Sequence, residues 1–458
     1  MKHVKSSRRR SAAALLASAS VAAALLASAA PLAVVSPRDG AVVPTLSDGQ
    51  KAFLSMPRKE RVAYFASKEC RRKMVGLGWY PKPVRLEWSG GAPGATYKVA
   101  VRRMPDGKVF HECAGTNTWT VVDNLEIARE YEWTVSGGGE LKARFTTEDM
   151  APRLIRIPGV PNMRDLGGRI GLDGRRVRQG MVFRSTGLND NAHGEYLSRS
   201  SLEKAGKITP RMLEEERRIK EHIARYRRYQ ADPKTFNRSH RGWKAWSRRH
   251  PTATVSDYFK RRIHGDEEDL KKLFQVEKTR RPGKSRLTDA TRAYLVDVLG
   301  IRSEIDLRSD RECYGMKGSP MGTAVKWFHY PSGAYAGMQR SSSKSAFKKV
   351  FAVFLDERNY PIDFHCISGQ DRTGSVAFIL NGLLGVSEED LYLDWETTGF
   401  WNKSTGFRHS LRFDGLVDGF MRHVPGANLH EKIENYVLGL GFTKADIEKF
   451  REIMLERK

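Results

Sequence analysis

Short runs of alternating apolar and polar residues fill the stretch from 81 to 149. They begin with VRLEW and TYKVAVRR and end with YEWTVS and LKARFTT, and glycine-containing turns separate them. Alternation with a period of two, in runs rich in Val, Thr, Tyr and Trp, is typical of half-buried strands. The pattern therefore predicts a small antiparallel β-sandwich over 81–149, after an N-terminal segment (34–80) that contains a short helix.

A different pattern begins after the linker that ends at Pro161. Apolar residues recur at helical spacing in 289–300 and 344–358, and the short apolar runs 301–308, 325–331 and 361–366 lie between or beside them. Alternating helices and strands indicate an α/β fold. We predict that 150–458 forms an α/β domain with a central, mostly parallel sheet and flanking helices. Its functional site is expected at the carboxyl ends of the strands.

The first 33 residues have the composition of a secretory signal peptide. A basic start, MKHVKSSRRR, precedes an Ala- and Leu-rich run, and small residues stand at Ala27, Ala29 and Ala30. The alternative is a membrane anchor, since the apolar run is long enough to span a bilayer. Cleavage would leave no transmembrane segment, and we expect a periplasmic or extracellular protein, exported by the general secretory or the twin-arginine route.

The chain is strongly basic, with a formal net charge of +26. Such a charge favours acidic partners: phosphorylated substrates, an anionic surface or an anionic polysaccharide. No nucleic-acid-binding motif is present, so a nucleic-acid partner is not expected. Much of the excess lies in a predicted helical insertion, 191–288. Its basic residues either form a solvated surface or make a rim over the active site.

The stretch DFHCISGQDRTG carries the candidate chemistry. A predicted strand ends at Cys366, a tight loop follows, and Arg372 opens an apolar helix. Successive backbone N–H groups ahead of a helix N-terminus bind a tetrahedral anion, and an arginine can hold two of its oxygens. The same positive field lowers the pKa of a thiol and makes it a nucleophile. The predicted anion-binding loop comprises Ile367, Ser368, Gly369, Gln370, Asp371 and Arg372.

The pattern His-Cys-x5-Arg-Thr-Gly resembles the signature of the protein tyrosine phosphatase superfamily. Three further stretches, 162–168 (NMRDLGG), 182–185 (VFRS) and 305–308 (IDLR), are similar to the bacterial family that includes the secreted mycobacterial tyrosine phosphatase B. The resemblance runs from about residue 158 to the C-terminus, and the basic insertion interrupts it. It implies hydrolysis of phosphotyrosine through a phosphocysteine intermediate, without a metal ion or an organic cofactor.

The resemblance also implies roles for single residues. Cys366 is the expected nucleophile, Arg372 the phosphate binder and Asp371 the general acid, with Asp306 and Asp310 as alternative acids. Gln370 stands where the family usually has lysine, which removes a cation beside the phosphate and weakens the case for phosphoinositides. Asp363 is expected to be structural. Supporting roles are expected for His365 behind the loop, for Thr373 as a donor to the sulfur, and for Arg164 or Arg184 as a residue that reaches the substrate. The alternative for NMRDLGG is that its glycines and Asp165 only build a turn.

The predicted sandwich resembles a fibronectin type III module. Trp88, Tyr97, Tyr131 and Trp133 stand at positions that such modules bury. The resemblance implies a spacing or attachment function and no chemistry.

Three alternatives to a tyrosine phosphatase remain open. The same loop would serve a secreted inositol-phosphate (phytate) phosphatase, or a module that binds phosphorylated ligands without turnover, and the sandwich would serve an adhesion protein. Cys313 adds a separate hypothesis: it either forms a reversible disulfide with Cys366 that protects the nucleophile, or it is simply buried.

Overall fold

The computed structural model of the chain describes residues 30–66, 78–92, 94–249, 254–401 and 407–457. Most of the predicted signal peptide, residues 1–29, lies outside them. The chain divides into two compact units. The first comprises Met1–Asp190, Lys284–Asp310 and Met316–Lys458, and the second comprises Asn191–Gly283 and Arg311–Gly315.

The N-terminal part of the first unit consists of two β-sheets on a shared core. One sheet has the strand order β1-β3-β6 and the other β2-β8-β7-β4-β5, and all pairs are antiparallel except β2 with β8. The predicted N-terminal antiparallel strands are thus confirmed. They are β1 (Ala30–Ser36), β2 (Ala41–Val43), β3 (Val84–Gly91), β4 (Tyr97–Arg103), β5 (Val109–Gly115), β6 (Trp119–Val122), β7 (Glu130–Ser136) and β8 (Glu140–Thr147).

Alternation along these strands buries one side of each sheet. Trp88 of β3 packs near Tyr97 of β4 and Trp133 of β7, with ring centroids 5.4 and 6.4 Å apart, and all three side chains are buried. Aromatic side chains of this size remove much apolar surface from water, which stabilises a small sandwich.

The segment before this sandwich forms two helices where the sequence predicts one. They are α1 (Asp48–Leu54) and α2 (Arg58–Ala66). Pro57 separates the two helices. Proline has no backbone N–H and therefore cannot continue α1, but its fixed φ suits the residue just before the start of α2.

A mixed five-stranded sheet forms the centre of the C-terminal region. Its order is β14-β13-β15-β10-β9; the first four strands are parallel to one another and β9 is antiparallel to β10. The predicted mostly parallel sheet with flanking helices is confirmed. Its strands are β9 (Arg164–Asp165), β10 (Val182–Ser185), β13 (Ser303–Asp306), β14 (Lys326–His329) and β15 (Ile362–His365).

Helices pack against this sheet and bury an extensive apolar core. The predicted helix 289–300 is divided into a short α-helix and a π-helical turn, Tyr294–Val298. The flanking helices are α7 (Asp289–Ala293), α8 (Ser341–Phe354), α9 (Asp371–Leu383), α10 (Glu388–Glu396), α11 (Phe407–His423), α12 (Leu429–Leu438) and α13 (Lys444–Met454).

The second unit has a core of its own. Tyr226, Phe236 and Phe259 pack together there with buried isoleucines. Its elements are the hairpin β11 (His193–Tyr196) with β12 (Glu277–Arg281) and the helices α3 (Arg199–Lys204), α4 (Pro210–Ala231), α5 (Arg241–Arg249) and α6 (Val255–Leu273). Among the described residues of both units, no helix is long and apolar enough to cross a membrane.

Candidate active site

The cysteine loop lies at the carboxyl end of β15, in the middle of the parallel sheet. His365 is the last residue of the strand, Cys366 is buried directly after it, and α9 begins at Asp371. Gly369 has a φ of +64°, and a Cβ there would lie 2.3 Å from the carbonyl oxygen of Ser185. Only glycine fits this close approach, so the loop is forced to turn tightly between the strand and the helix.

Buried donors outside the loop hold its backbone carbonyls. Asn162 donates its Nδ2 to the carbonyl oxygens of Ser368 (3.0 Å) and Gly369 (3.3 Å), and Arg184 Nη2 donates to Gly369 at 2.6 Å. These carbonyls therefore point towards the protein interior. An anion-binding loop needs its carbonyl oxygens held away from the ligand in this way, so that its N–H groups can donate to the anion.

The two arginines expected to reach the substrate are fully buried. Arg164 donates from Nε to Asp394 at 3.1 Å and from Nη1 to Asn162 Oδ1 at 2.5 Å. Arg184 contacts Asp394 as well as Gly369. Their hydrogen bonds thus connect the loop to α10, because a buried guanidinium needs acceptors within the protein.

Arg372 and Cys366 make an electropositive thiol site. Arg372 is half-buried in the first turn of α9 and donates to the carbonyl oxygen of Leu307 at 3.4 Å. Burial raises the pKa of Cys366, but the charge of Arg372 and the polar groups of Thr373 lower it more, so the pKa of the thiol is lowered overall. A lowered thiol pKa increases the fraction of nucleophilic thiolate near neutral pH.

Comparison with known proteins assigns this region to a family. The model of the tyrosine phosphatase family matches residues 155–204 and 279–456. Over 155–456, the chain belongs to the tyrosine phosphatase family. A search of the curated proteins found no match to the chain. Residues 205–278, between the two matched segments, belong to the second unit.

Family membership supports phosphomonoester hydrolysis by a cysteine-dependent tyrosine phosphatase acting on phosphorylated substrates. The loop geometry described above is consistent with that chemistry.

A buried network of charged groups lies behind the phosphatase loop. His365 contacts Glu304 through Nε2 at 2.8 Å, and its Nδ1 lies 3.2 Å from the carbonyl oxygen of Cys366. Burial lowers the pKa of His365, but Asp306 and Glu304 raise it more, to about 9 overall. His365 is therefore a cation that can donate to the backbone of Cys366 and to Glu304, behind the loop where it was expected.

One group among the described residues has ligand atoms close enough to bind a single metal ion: Glu304, Asp306 and His365. Their ligand atoms already have protein partners. Arg308 donates to both oxygens of Asp306, at 2.6 Å from Nη2 and 2.9 Å from Nε, and Ser319 donates to Glu304. The set is better suited to an internal ion-pair network than to a cation, because its basic partners neutralise the carboxylates.

The four aspartates near the phosphatase loop have different environments. Asp306 is fully buried; burial raises its pKa, but His365 and Arg308 lower it far below the ordinary value. Asp363 is buried, accepts a hydrogen bond from Ser185 at 2.9 Å, and has its pKa raised to about 7 by burial. Asp310, with 92% of its side chain exposed, lies 3.7 Å from His329. Asp371, half-buried and within the loop, best fits an acid that meets a substrate.

Three further positions lie in or directly after the loop. Ile367 is exposed, and Thr373 is buried in the first turn of α9, where its polar groups lower the pKa of Cys366. Gln370, at the position where the resemblance led us to expect lysine, has a buried side chain.

Sequence reasoning missed several residues that hold this site together. Asp394 and Trp395 lie on α10, and Tyr335 lies in a 3₁₀ turn, Tyr335–Gln339. Asn162 lies in NMRDLGG and Glu304 in the predicted strand 301–308, but the sequence predicted no site role for either residue. No local motif marks these residues, although Asn162 within NMRDLGG was the available signal.

Proposed function

We propose that the chain is an exported protein tyrosine phosphatase that hydrolyses phosphomonoesters through a phosphocysteine intermediate. The observation that carries the proposal is Cys366, buried beneath a glycine-turned loop with its thiol pKa lowered by Arg372. The family match supports the reaction class. Phosphotyrosine in proteins or peptides is the proposed substrate, in line with the tyrosine phosphatase family match.

The first half of the reaction transfers the phosphoryl group to sulfur. The Cys366 thiolate attacks phosphorus while Arg372 and the loop N–H groups hold the non-bridging oxygens. The bond between phosphorus and the phenolic oxygen breaks, and Asp371 gives its proton to that oxygen as the phenol leaves. A neutral phenol and a phosphocysteine result, and Asp371 is left as a carboxylate.

The second half releases phosphate. The Asp371 carboxylate takes a proton from a water molecule as its oxygen attacks phosphorus, and the sulfur–phosphorus bond breaks. The electron pair returns to Cys366, whose thiolate accepts a hydrogen bond from Thr373. Asp371 is again protonated, so one water molecule is consumed and one inorganic phosphate is produced.

Export and attachment complete the proposal. The basic and apolar N-terminal sequence supports removal of a signal peptide and a location in the periplasm or outside the cell. The two N-terminal sheets would act as a fibronectin-like spacer or an attachment to an anionic surface or polysaccharide. The resemblance to the family of the secreted mycobacterial enzyme supports export.

Turnover by the mature chain tests the reaction. Hydrolysis of para-nitrophenyl phosphate and of a phosphotyrosine peptide would be measured with EDTA present, beside Cys366→Ser. Turnover that persists in EDTA and is lost in Cys366→Ser supports the mechanism. A folded, reduced protein without turnover would instead favour a module that binds phosphorylated ligands, or an adhesion role for the sandwich.

The basic insertion favours a second candidate, an inositol-phosphate (phytate) phosphatase. Residues 191–290 contain 26 Lys and Arg against 14 Asp and Glu, a composition suited to a polyanion. A substrate profile separates the two functions. Faster turnover of inositol hexakisphosphate than of phosphotyrosine peptides, with a strong decrease at high salt, would favour the inositol-phosphate enzyme.

A further inference from the structure

The phenol of Tyr335 contacts the side chain of Asp371, the aspartate of the cysteine loop. The phenol of Tyr335 donates a hydrogen bond to Asp371 Oδ1, and Trp395 Nε1 lies 3.3 Å from the same phenolic oxygen. We propose that Tyr335 is the positioning residue for the Asp371 carboxyl, and that Trp395 holds Tyr335 in place. The inference rests on the proposed function, in which Asp371 is the general acid.

The direction of this hydrogen-bond chain is determined by its members. An indole N–H can only donate, so Trp395 must donate to the Tyr335 oxygen. The phenol proton is then directed to Asp371, whose oxygen accepts it. Burial and the nearby Asp371 charge raise the pKa of Tyr335 far above its ordinary value, so the phenol keeps its proton under working conditions. Oδ1 is thereby occupied, and Oδ2 is left to exchange the catalytic proton.

Backbone hydrogen bonds through Ser375 form a second connection between Tyr335 and Asp371. Tyr335 N–H donates to Ser375 Oγ at 2.8 Å, and Ser375 Oγ donates to the carbonyl oxygen of Asp371 at 2.9 Å. Tyr335 has a φ of 55°, in the left-handed region that non-glycine residues rarely adopt. Such a conformation persists where surrounding contacts impose it. Here the contacts are the hydrogen bonds that join Tyr335 to Asp371, directly and through Ser375.

Trp395 is itself rigidly held. Its side chain is buried and stacks on Phe413, with ring centroids 5.3 Å apart and an interplanar angle of 26°. It also packs against the first turn of α9, since a Cβ at Gly374 would lie 2.8 Å from its Cδ1. The tryptophan therefore fixes the phenol relative to the helix that begins at Asp371.

Leaving-group dependence tests the proposal. Aryl phosphates whose phenols range from weakly to strongly acidic would be compared in wild type, Tyr335→Phe and Asp371→Asn. A misplaced acid slows substrates with weakly acidic phenols, such as phosphotyrosine, far more than para-nitrophenyl phosphate. General acid catalysis contributes about 100- to 10,000-fold, and a misplaced acid keeps part of this effect. For Tyr335→Phe we therefore expect a smaller loss of kcat/KM on phosphotyrosine, roughly 10- to 100-fold, and at most about a threefold loss on para-nitrophenyl phosphate.

Tyr436→Phe is a matched control. Its buried phenol donates to the Met338 carbonyl oxygen at 2.8 Å, beside the same 3₁₀ turn and away from Asp371. This variant should keep the wild-type leaving-group dependence. The rate of Cys366 alkylation by iodoacetamide should be the same in Tyr335→Phe and wild type, which shows that the loop is intact. Trp395→Phe should steepen the dependence in the same direction as Tyr335→Phe.

The outcomes separate this inference from the proposed function. The first outcome is that the dependence of kcat/KM on the acidity of the leaving phenol becomes steeper in Asp371→Asn but stays as in wild type in Tyr335→Phe. This result would overturn the positioning role of Tyr335 alone. An unchanged dependence in Asp371→Asn would remove Asp371 as the acid, and the inference with it, while thiol chemistry stands. Turnover that survives in Cys366→Ser would overturn the proposed function itself.

Discussion

Arg184 joins the carboxylate of Asp394 to the carbonyl oxygen of Gly369, in the middle of the loop that follows Cys366. All three residues are buried. Burial raises the pKa of Asp394, but Arg184 and Arg164 lower it well below the ordinary value, so it is a carboxylate in the folded protein. The orientation of the anion-binding loop thus depends on an acidic residue about 25 positions further along the chain.

We predict that Asp394→Ala strongly destabilises the protein and abolishes turnover. Removing one partner of a buried ion pair leaves buried charges without compensation, at a cost of about 3–5 kcal/mol. The free energy of unfolding in urea and the kcat on para-nitrophenyl phosphate would be measured. Asp418→Ala is the control, because Asp418 forms an exposed i,i+4 pair with Arg422, and its loss should cost less than about 1 kcal/mol. Equal losses in both variants would contradict the prediction.

Arg372→Met should raise the pKa of the Cys366 thiol. Arg372 is the nearby charge that lowers this pKa against the effect of burial. Without it, the thiolate fraction at neutral pH falls, and alkylation by iodoacetamide requires a higher pH. The measurement is the alkylation rate of Cys366 as a function of pH in both proteins. An unchanged profile would mean that the loop N–H groups, and not the arginine, stabilise the thiolate.

His365 should make the stability of the protein decrease at alkaline pH. Its pKa is about 9 when folded and about 6.5 in an unfolded chain, so it binds its proton more tightly in the folded state. Its contribution is complete below about pH 6.5 and is lost as the pH rises through 9. Urea unfolding at pH 7.0, 8.0 and 9.5 would be compared with His365→Asn.

The stability difference between wild type and His365→Asn should shrink over that range. Asp363 and Glu396 also have raised pKa values, each about 7, so their contributions decline mainly between about pH 4 and 7. These groups and the Cys366 thiol are present in both proteins, so the difference between wild type and His365→Asn reports the histidine. A constant difference across the range would show that His365 is neutral when folded.

Arg61 connects the N-terminal segment to the helix that holds the loop. It is fully buried on α2, and its Nε donates to Glu396 at 2.5 Å, next to Asp394 and Trp395 on α10. Arg61→Ala should cost about 3–5 kcal/mol, because it leaves the buried Glu396 carboxyl without its cation. The loss should be larger at pH 8 than at pH 5.5, where Glu396 is protonated and needs no counter-charge.

Lys59→Ala is the matched control for this experiment, since Lys59 is exposed on the same helix. Thermal unfolding at both pH values and the kcat of each variant would be recorded. A pH-independent loss in Arg61→Ala would mean that packing of the arginine, and not its charge, stabilises α10.

Strand β1 bears on the site of signal-peptide cleavage. It begins at Ala30, which pairs with Gly91, and Ala33 pairs with Ser89. Cleavage after residue 33, the predicted end of the signal, would remove four residues of this strand. We therefore expect cleavage of the proposed signal peptide to leave a chain that begins at Ala30 or earlier, as N-terminal sequencing would show. A mature chain beginning at Val34 would contradict this.

The disulfide hypothesis for Cys313 stays a prediction. Cys313 is buried in the second unit, whereas Cys366 belongs to the first. Peroxide inactivation and its reversal by thiols would be compared in wild type and Cys313→Ser. Identical recovery would exclude a protective disulfide between the two residues.

The sequence alone determined the parts of this protein that depend on neighbouring residues. Alternation in 81–149 predicted the N-terminal strands, because a strand buries every second side chain. The stretch from His365 to Thr373 predicted its strand, loop and helix, because a tight turn needs glycine and an anion site needs a helix N-terminus. These are local requirements, so a local pattern carries them.

Only the tertiary structure decided which distant side chains serve the loop. Arg164 and Arg184 were expected at the substrate, yet their guanidinium groups are buried against Asp394. Tyr335 and Trp395 carry no motif. Tyr335 meets Asp371, and Trp395 meets Tyr335, only because the chain brings a 3₁₀ turn and α10 to the start of α9. Packing selects such partners by shape and by the need to satisfy buried polar groups. The spacing of residues along the chain predicts neither the shape nor the hydrogen-bond partners.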